Sequence, residues 1–191
     1  VNTALDERLF LGNDEPAGSG RCSDSHALVI GYMGTHTHMR DLMMVLEPLR
    51  SVCRRSSIPI EFQVVGIVND KSSLNNLGGL SCRVLDPGSN HPYPQFVRWA
   101  RNNLRWDLAI APLEDNAFTR CKSDIKYLDY SLLGIPGIYS DVEAFRHSVR
   151  AGITGWICEN TTNSWKAALV EAVENHEFRR GISQAAFHDV C

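Results

Sequence analysis

No apolar run in this 191-residue chain approaches the roughly 18 residues that a bilayer-spanning helix needs, so the sequence offers no candidate membrane helix. Residues 1–10 carry neither a basic stretch nor an apolar one, and they do not read as a secretory signal. A starting Met is also lacking, which fits a processed or excised piece of a longer protein. Positive charge is not in excess: 19 Lys and Arg stand against 22 Asp and Glu, a net charge of −3. A dedicated nucleic-acid binder is usually basic, so no nucleic-acid partner is expected. The six cysteines, Cys22, Cys53, Cys82, Cys121, Cys158 and Cys191, form no C-x-x-C pair. Structural zinc is therefore not expected, and single thiols in a reducing cytoplasm are. The G-x-G-x-x-G dinucleotide fingerprint is missing, and so is any internal repeat.

What is present is ordinary globular composition, with 43% hydrophobic and 21% charged residues. Residues 1–26 read as a lead-in and linker, with the turn-rich run Gly12 to Gly20 inside it. Strands are expected at 27–32, 62–67, 82–85, 107–111, 137–139 and 155–158. Helices are expected between them. The first runs to about Arg55, with Leu42, Met43, Leu46, Leu49 and Cys53 on its apolar face and a kink risk at Pro48. Others cover 94–103, 124–133, 142–150 and the surroundings of Trp165, Ala168, Leu169, Ala172 and Val173, and a last one spans about 178–188. Gly134, with Pro136 beyond it, is expected to end the 124–133 helix at the C′ position.

Strands alternating with helices imply an α/β domain built on a doubly wound, Rossmann-like parallel sheet over residues 27–175, followed by a helical segment at 176–191. Ligands of such sheets bind outside the carboxyl ends of the strands. The loops of interest thus follow Tyr32, Ile67, Leu85, Ala111 and Tyr139. The stretch 86–94 is turn-rich and either faces a ligand or merely connects.

The loop after the first strand contains Gly34, Thr35, His36, Thr37, His38 and Arg40. Gly34 permits a tight turn or close backbone approach. Arg40 falls near the positive end of the next helix, where it either meets a bound anion or faces solvent. His36 and His38 form an H-x-H pair with no carboxylate-rich cluster to complete a metal site. Loop contacts, or a hydrogen bond from one histidine to substrate, fit them better.

The most informative stretch is 111–136. Ser123 is a good N-cap for the helix that follows, and Asp124 suits its first turn. Lys122 and Lys126 do not suit the positive end of a helix dipole. Two readings are open from charge pattern alone. The lysines and the free N–H groups form an anion pocket suited to phosphate, or Lys126 pairs with Asp129 at i,i+3 while Lys122 is solvated.

Taken together, Lys122-Ser123-Asp124-Ile125-Lys126-Tyr127-Leu128-Asp129-Tyr130, Leu133-Gly134-Ile135-Pro136 and Ser140-Asp141 resemble the K-S-x-x-K-x-L-E-Y…G-x-P…S-D signature of bacterial glycosyltransferases of the GT-B fold, glycogen-synthase-like and retaining. Residues 30–42 resemble the G-T-x-T-H-x-R-D-F segment of that group. Residues 152–157 resemble its G-x-x-G-hydrophobic turn, and residues 2–10 its N-x-L-D segment. The resemblance implies one half of a GT-B fold, the C-terminal, donor-binding half, which binds a nucleotide sugar but transfers poorly without an N-terminal acceptor-binding domain. It implies a sugar moved to a glycan or cell-envelope acceptor. Neither metal nor cofactor is required. Association with membranes would be peripheral, and only through the full-length enzyme.

By motif, Lys126 and Arg40 would stabilise the leaving diphosphate. Gly34, Thr35, His38, Lys122 and Ser123 would line the donor site, and Asp129 would hold ribose hydroxyls at the second acidic position of an E-x7-E pattern. The first acidic position falls on Cys121, which cannot act as a carboxylate. That departure motivates an alternative, a non-catalytic interaction module that has kept the fold. A sugar-nucleotide epimerase of the same architecture is a third option. No residue stands out as a covalent nucleophile.

Overall fold

The computed structural model describes residues 27–66, 77, 80–89 and 92–191. The lead-in at 1–26, the end of the second expected strand at Ile67, and Cys22 lie outside them. Six strands form one all-parallel sheet: β1 Leu28–Met33, β2 Ile60–Val65, β3 Cys82–Leu85, β4 Leu108–Ala111, β5 Gly137–Ser140 and β6 Trp156–Cys158. Their order is β3-β2-β1-β4-β5-β6. The chain winds outward from β1 in one direction, then returns to β4 and winds outward in the other. The two halves meet where Ile30 and Gly31 pair with Leu108 and Ala109. The carboxyl ends of β1 and β4 therefore flank the crevice in which such sheets bind ligands.

Helices cover both faces: α1 Met39–Arg55, α2 Tyr93–Asn103, α3 Ile125–Leu132, α4 Glu143–Arg146, α5 Thr162–Glu174 and α6 His176–Val190. On one face Leu42, Leu46 and Leu49 of α1 meet Trp165 and Leu169 of α5 over Ile30 and Phe62. Each of these leucines is 2% exposed or less, and burying one such side chain contributes about 1.5–3 kcal/mol. On the other face Trp106, Tyr127, Tyr130, Tyr139 and Phe145 form an aromatic core. Helix α6 joins both, with Ile182 in the first and Ala186 in the second.

Several boundaries shift. Helix α1 runs unbroken through a buried Pro48. Met43 is exposed, and the inward face is Leu42, Val45, Leu46, Leu49 and Val52. The helix expected at 142–150 shrinks to α4, because local turns compete for the backbone beyond it. Arg150 N donates to Thr154 Oγ1 at 2.9 Å, and Gly152 N to the Gly155 carbonyl at 2.8 Å. The stop at Gly134 is as expected. Its φ is 68°, and Ile135 N reaches back to the Tyr130 carbonyl at 2.9 Å.

Candidate functional site

The site is built where the β1–α1 and β4–α3 loops face each other across the sheet's switch point. Residues 36–38 form a 3-10 turn that feeds α1. Asp41, in the first turn of α1, is buried and ties the two loops together. Its Oδ2 lies 2.6 Å from His38 Nδ1, and its Oδ1 accepts from Glu114 N at 2.9 Å. Burial alone would raise this carboxyl. The hydrogen bonds from His38 and the Glu114 amide, with the charge of Lys126, overcome that and hold it below the ordinary value. With Nδ1–H donated to Asp41, His38 Nε2 accepts from Lys122, whose Nζ lies 3.1 Å away. The same ammonium sits 5.1 Å from the Phe118 ring centroid.

The start of the β4–α3 loop is pinned from below. Ser140 Oγ accepts from Leu113 N at 2.8 Å and donates to Asn160 Oδ1 at 2.6 Å. Asn160 Nδ2 in turn donates to the Leu113 carbonyl at 2.8 Å. The loop then passes through a 3-10 turn at Thr119–Cys121 and enters α3. Here the expected cap is corrected. Asp124, not Ser123, occupies the N-cap position, with no capping bond from its side chain. Ser123 lies one residue too early and is exposed, while the Asp124 carboxylate accepts from Ser148 Oγ.

Lys126 is the central cation. Its Nζ donates to Tyr32 Oη at 3.3 Å and lies 4.5 Å from the centroid of that ring. Part of the side chain touches solvent, yet burial pushes its ammonium down to about 8. Asp41 opposes that shift and Lys122 adds to it. The i,i+3 pair with Asp129 is not formed: Lys126 turns toward β1, and Asp129 turns toward Tyr93. Tyr32 is itself fully buried, and its hydroxyl is the hinge of the arrangement. A Cβ on Gly34 would come within 2.9 Å of that hydroxyl, so the glycine lets the β1–α1 turn pass directly over Tyr32. Lys126 and the Gly34 turn thus share one neighbour. Tyr130 braces the strand end, accepting from Met33 N at 3.3 Å and donating to the Ile110 carbonyl at 3.2 Å.

The remaining nominated residues are less tightly drawn in. Thr35 is exposed and its Oγ1 lies 2.7 Å from Thr37 Oγ1. Arg40 is exposed on the rim, with Nε 3.6 Å from Glu114 Oε1. Cys121 is exposed, at the end of the 3-10 turn that precedes Lys122. Asp129 lies deeper, on α3, and accepts from Tyr93 Oη at 2.6 Å. Burial lifts its carboxyl to about 6, against the pull of the Tyr93 bond.

Three residues of this site were not nominated from the sequence: Tyr32, Asp41 and Tyr93. Asp41 stands inside the quoted loop motif, so a signal for it existed. Tyr32 and Tyr93 reach the site only through contacts 94 and 36 residues apart, which no local pattern announces. Among the described residues there is no cluster of three potential metal ligands, and no helix is long and apolar enough to cross a membrane.

No family model matches the chain. No curated protein matches it either. Solved structures do. A glycosyltransferase from Rickettsia africae superposes with a TM-score of 0.64 at 16% identity, over 87% of this chain and 43% of that one. The C-terminal domain of a glycosyl transferase group 1 family protein from Francisella tularensis gives a TM-score of 0.65 at 12% identity, covering 98% of this chain and 96% of that one. Anabaena HepE, solved in complex with UDP and glucose, gives 0.61 at 12% identity, over 86% of this chain and 43% of that one. The chain thus spans less than half the length of the two larger proteins, and nearly all of the isolated C-terminal domain. In architecture this chain has the Rossmann-like fold of the C-terminal half of a GT-B glycosyltransferase.

Proposed function

We propose that the chain is the donor-binding domain of a retaining glycosyltransferase that takes a nucleotide sugar and passes the sugar to a glycan or cell-envelope acceptor. The single observation that carries this reading is the pairing of Lys122 and Lys126 at the crevice with no described carboxylate in salt-bridge contact with either. Two ammonium groups beside the amino end of α3 suit a diphosphate, which would meet both of them and the free N–H groups together.

In this reading the bond between the sugar's anomeric carbon and the phosphate oxygen breaks, and its electron pair leaves with the diphosphate. Lys126 and Lys122 neutralise that growing charge from fixed positions, so little reorganisation is needed as the bond breaks. Arg40, on the rim, would swing in to the same phosphates. Gly34, Thr35 and Ser123 would offer backbone and hydroxyl groups around them, and His38 would hold Lys122 in place. Asp129 would take the ribose hydroxyls. The acceptor would be bound by an N-terminal domain, and its hydroxyl would pass its proton to the leaving diphosphate oxygen as the new glycosidic bond forms. This chain alone is therefore expected to bind donor and to transfer poorly. The protein would work in the cytoplasm, without a cofactor or metal.

The Cys121 position favours a second reading. A thiol stands where the resemblance calls for a carboxylate, and a non-catalytic module that has kept the fold would show the same change. Calorimetric titration with nucleoside diphosphates and nucleotide sugars separates the two. Binding supports the donor domain. A folded chain that binds none of them, yet retains a stable protein partner, supports the module.

A further inference from the structure

Asp129 is only 9% exposed, and the hydrogen-bond partner its carboxylate has among the described residues is Tyr93 Oη, at 2.6 Å. Tyr93 comes from a different element. It is the first residue of α2, after an N-cap, Pro92, that makes no side-chain capping bond. The residue is 37% exposed, so its side chain has solvent to turn into. Behind the carboxylate the wall is apolar, formed by Met33, Phe96, Val97, Ala100 and Leu133. The cavity there holds about 10 Å³, too little for a ligand group, so a hydroxyl that reaches the carboxylate must take the place of Tyr93 Oη. A phenol hydroxyl donating to a buried carboxylate presents the same chemistry as a sugar hydroxyl donating to it.

We propose that Tyr93 is a ligand-displaced gate, holding the Asp129 carboxylate in the empty domain and yielding it to a vicinal hydroxyl pair of the nucleoside. This rests on the assignment of Asp129 to ribose in the donor reading. The gate is a specificity device. A nucleotide that offers the hydroxyl pair at this position replaces the single Tyr93 bond and adds a second donor. A nucleotide that lacks them cannot repay the displacement, and it binds through its phosphates alone, with Tyr93 left in place.

The test uses the whole chain at about pH 7, where both the Asp129 carboxylate and the Lys126 ammonium are mostly charged. Uridine, guanosine and adenosine diphosphates, their dideoxy counterparts and inorganic pyrophosphate are titrated calorimetrically into the wild type, Tyr93→Phe and Asp129→Asn. The phenylalanine keeps the ring and removes only the competing hydroxyl. Tyr93→Phe is expected to tighten the ribonucleotide that the wild type prefers by about tenfold, and to leave its dideoxy counterpart and pyrophosphate unchanged. Asp129→Asn is expected to shrink the preference for ribo- over dideoxynucleotide. Equal tightening of all three ligands, or weaker binding of the ribonucleotide by Tyr93→Phe, overturns the gate and makes Tyr93 a support for Asp129. Pyrophosphate and dideoxynucleotide binding as well as the ribonucleotide in every variant overturns the ribose assignment and the gate, while the diphosphate pocket stands. A folded wild type that binds none of the ligands removes the donor reading itself, and the gate with it.

Discussion

Two sets of cations surround the loop after β4, and they differ in what they are paired with. Arg120 and Arg146 each have a carboxylate of their own. Arg120 Nε lies 2.9 Å from Asp115 Oδ1, and Arg146 Nε 2.6 Å from Asp141 Oδ1. All four groups are at or near the surface. Lys122 and Lys126 follow Arg120 closely in sequence, yet their partners are an imidazole, a phenol and two aromatic rings. The arginines are surface charge that the protein has already neutralised. The lysines are charge held in reserve, and holding it opposes stability: burial depresses the Lys126 ammonium from 10.5 to about 8, and each unit is about 1.4 kcal/mol. A fold keeps such a group when something else compensates, and an arriving anion does so.

Lys126→Met breaks the comparison most sharply. The apolar side chain fills similar volume without the charge. Diphosphate affinity is expected to fall by about 1.5–3 kcal/mol, a charge-assisted hydrogen bond's worth, while thermal stability at neutral pH holds or rises, as it often does when a buried charge is replaced by a packed hydrophobe. Calorimetry and a melting curve on the same sample check both. Unchanged affinity would reduce Lys126 to a structural contact of Tyr32.

The pH dependence follows with a definite sign. Because the folded-state pKa of Lys126 is depressed, the unfolded chain binds more protons between about 8 and 10.5. Stability contributed by this group therefore increases as pH rises through that window. Ligand binding goes the other way. A diphosphate favours the charged ammonium, so its affinity falls as pH rises past about 8, by up to about 1.4 kcal/mol per unit, and binding takes up a proton there. Lys126→Arg, which stays charged throughout, is expected to flatten the profile. The groups facing this ammonium are Tyr32, Asp41 and Lys122. A slope that survives in the arginine variant would point to one of them instead.

The architecture was largely legible from the residues, and the reason is local. Strand β3 falls on the expected residues 82–85. The stop of α3 at Gly134 needs only a glycine that can adopt positive φ. Periodicity and turn chemistry act over a few residues, and so can be read from a few residues. The site was legible only as a pair of alternatives. A lysine at the amino end of a helix has the same local pattern whether it turns toward an aspartate at i+3 or toward a strand. What decides Lys126 is Tyr32, 94 positions earlier. Asp41 was hidden differently. It sits in plain view in the loop motif, but its role depends on the amide of Glu114, 73 positions later, which only the parallel order β1-β4 brings alongside.

The smallest expected effect is the control that gives the others meaning. Arg120→Ala removes a cation that lies two positions from Lys122 in sequence, so a purely electrostatic account of the pocket would have it matter. The geometry disagrees. Arg120 is bound to Asp115 through both Nε and Nη2, at 2.9 and 3.4 Å. Its charge is matched locally, at an exposed position where water and salt screen what remains. Diphosphate affinity is expected to stay within about twofold of the wild type, and the salt dependence of binding to keep its slope. If Arg120→Ala instead weakened binding as much as Lys126→Met, proximity of charge rather than absence of a paired carboxylate would define the site, and the distinction between the two sets of cations would fail.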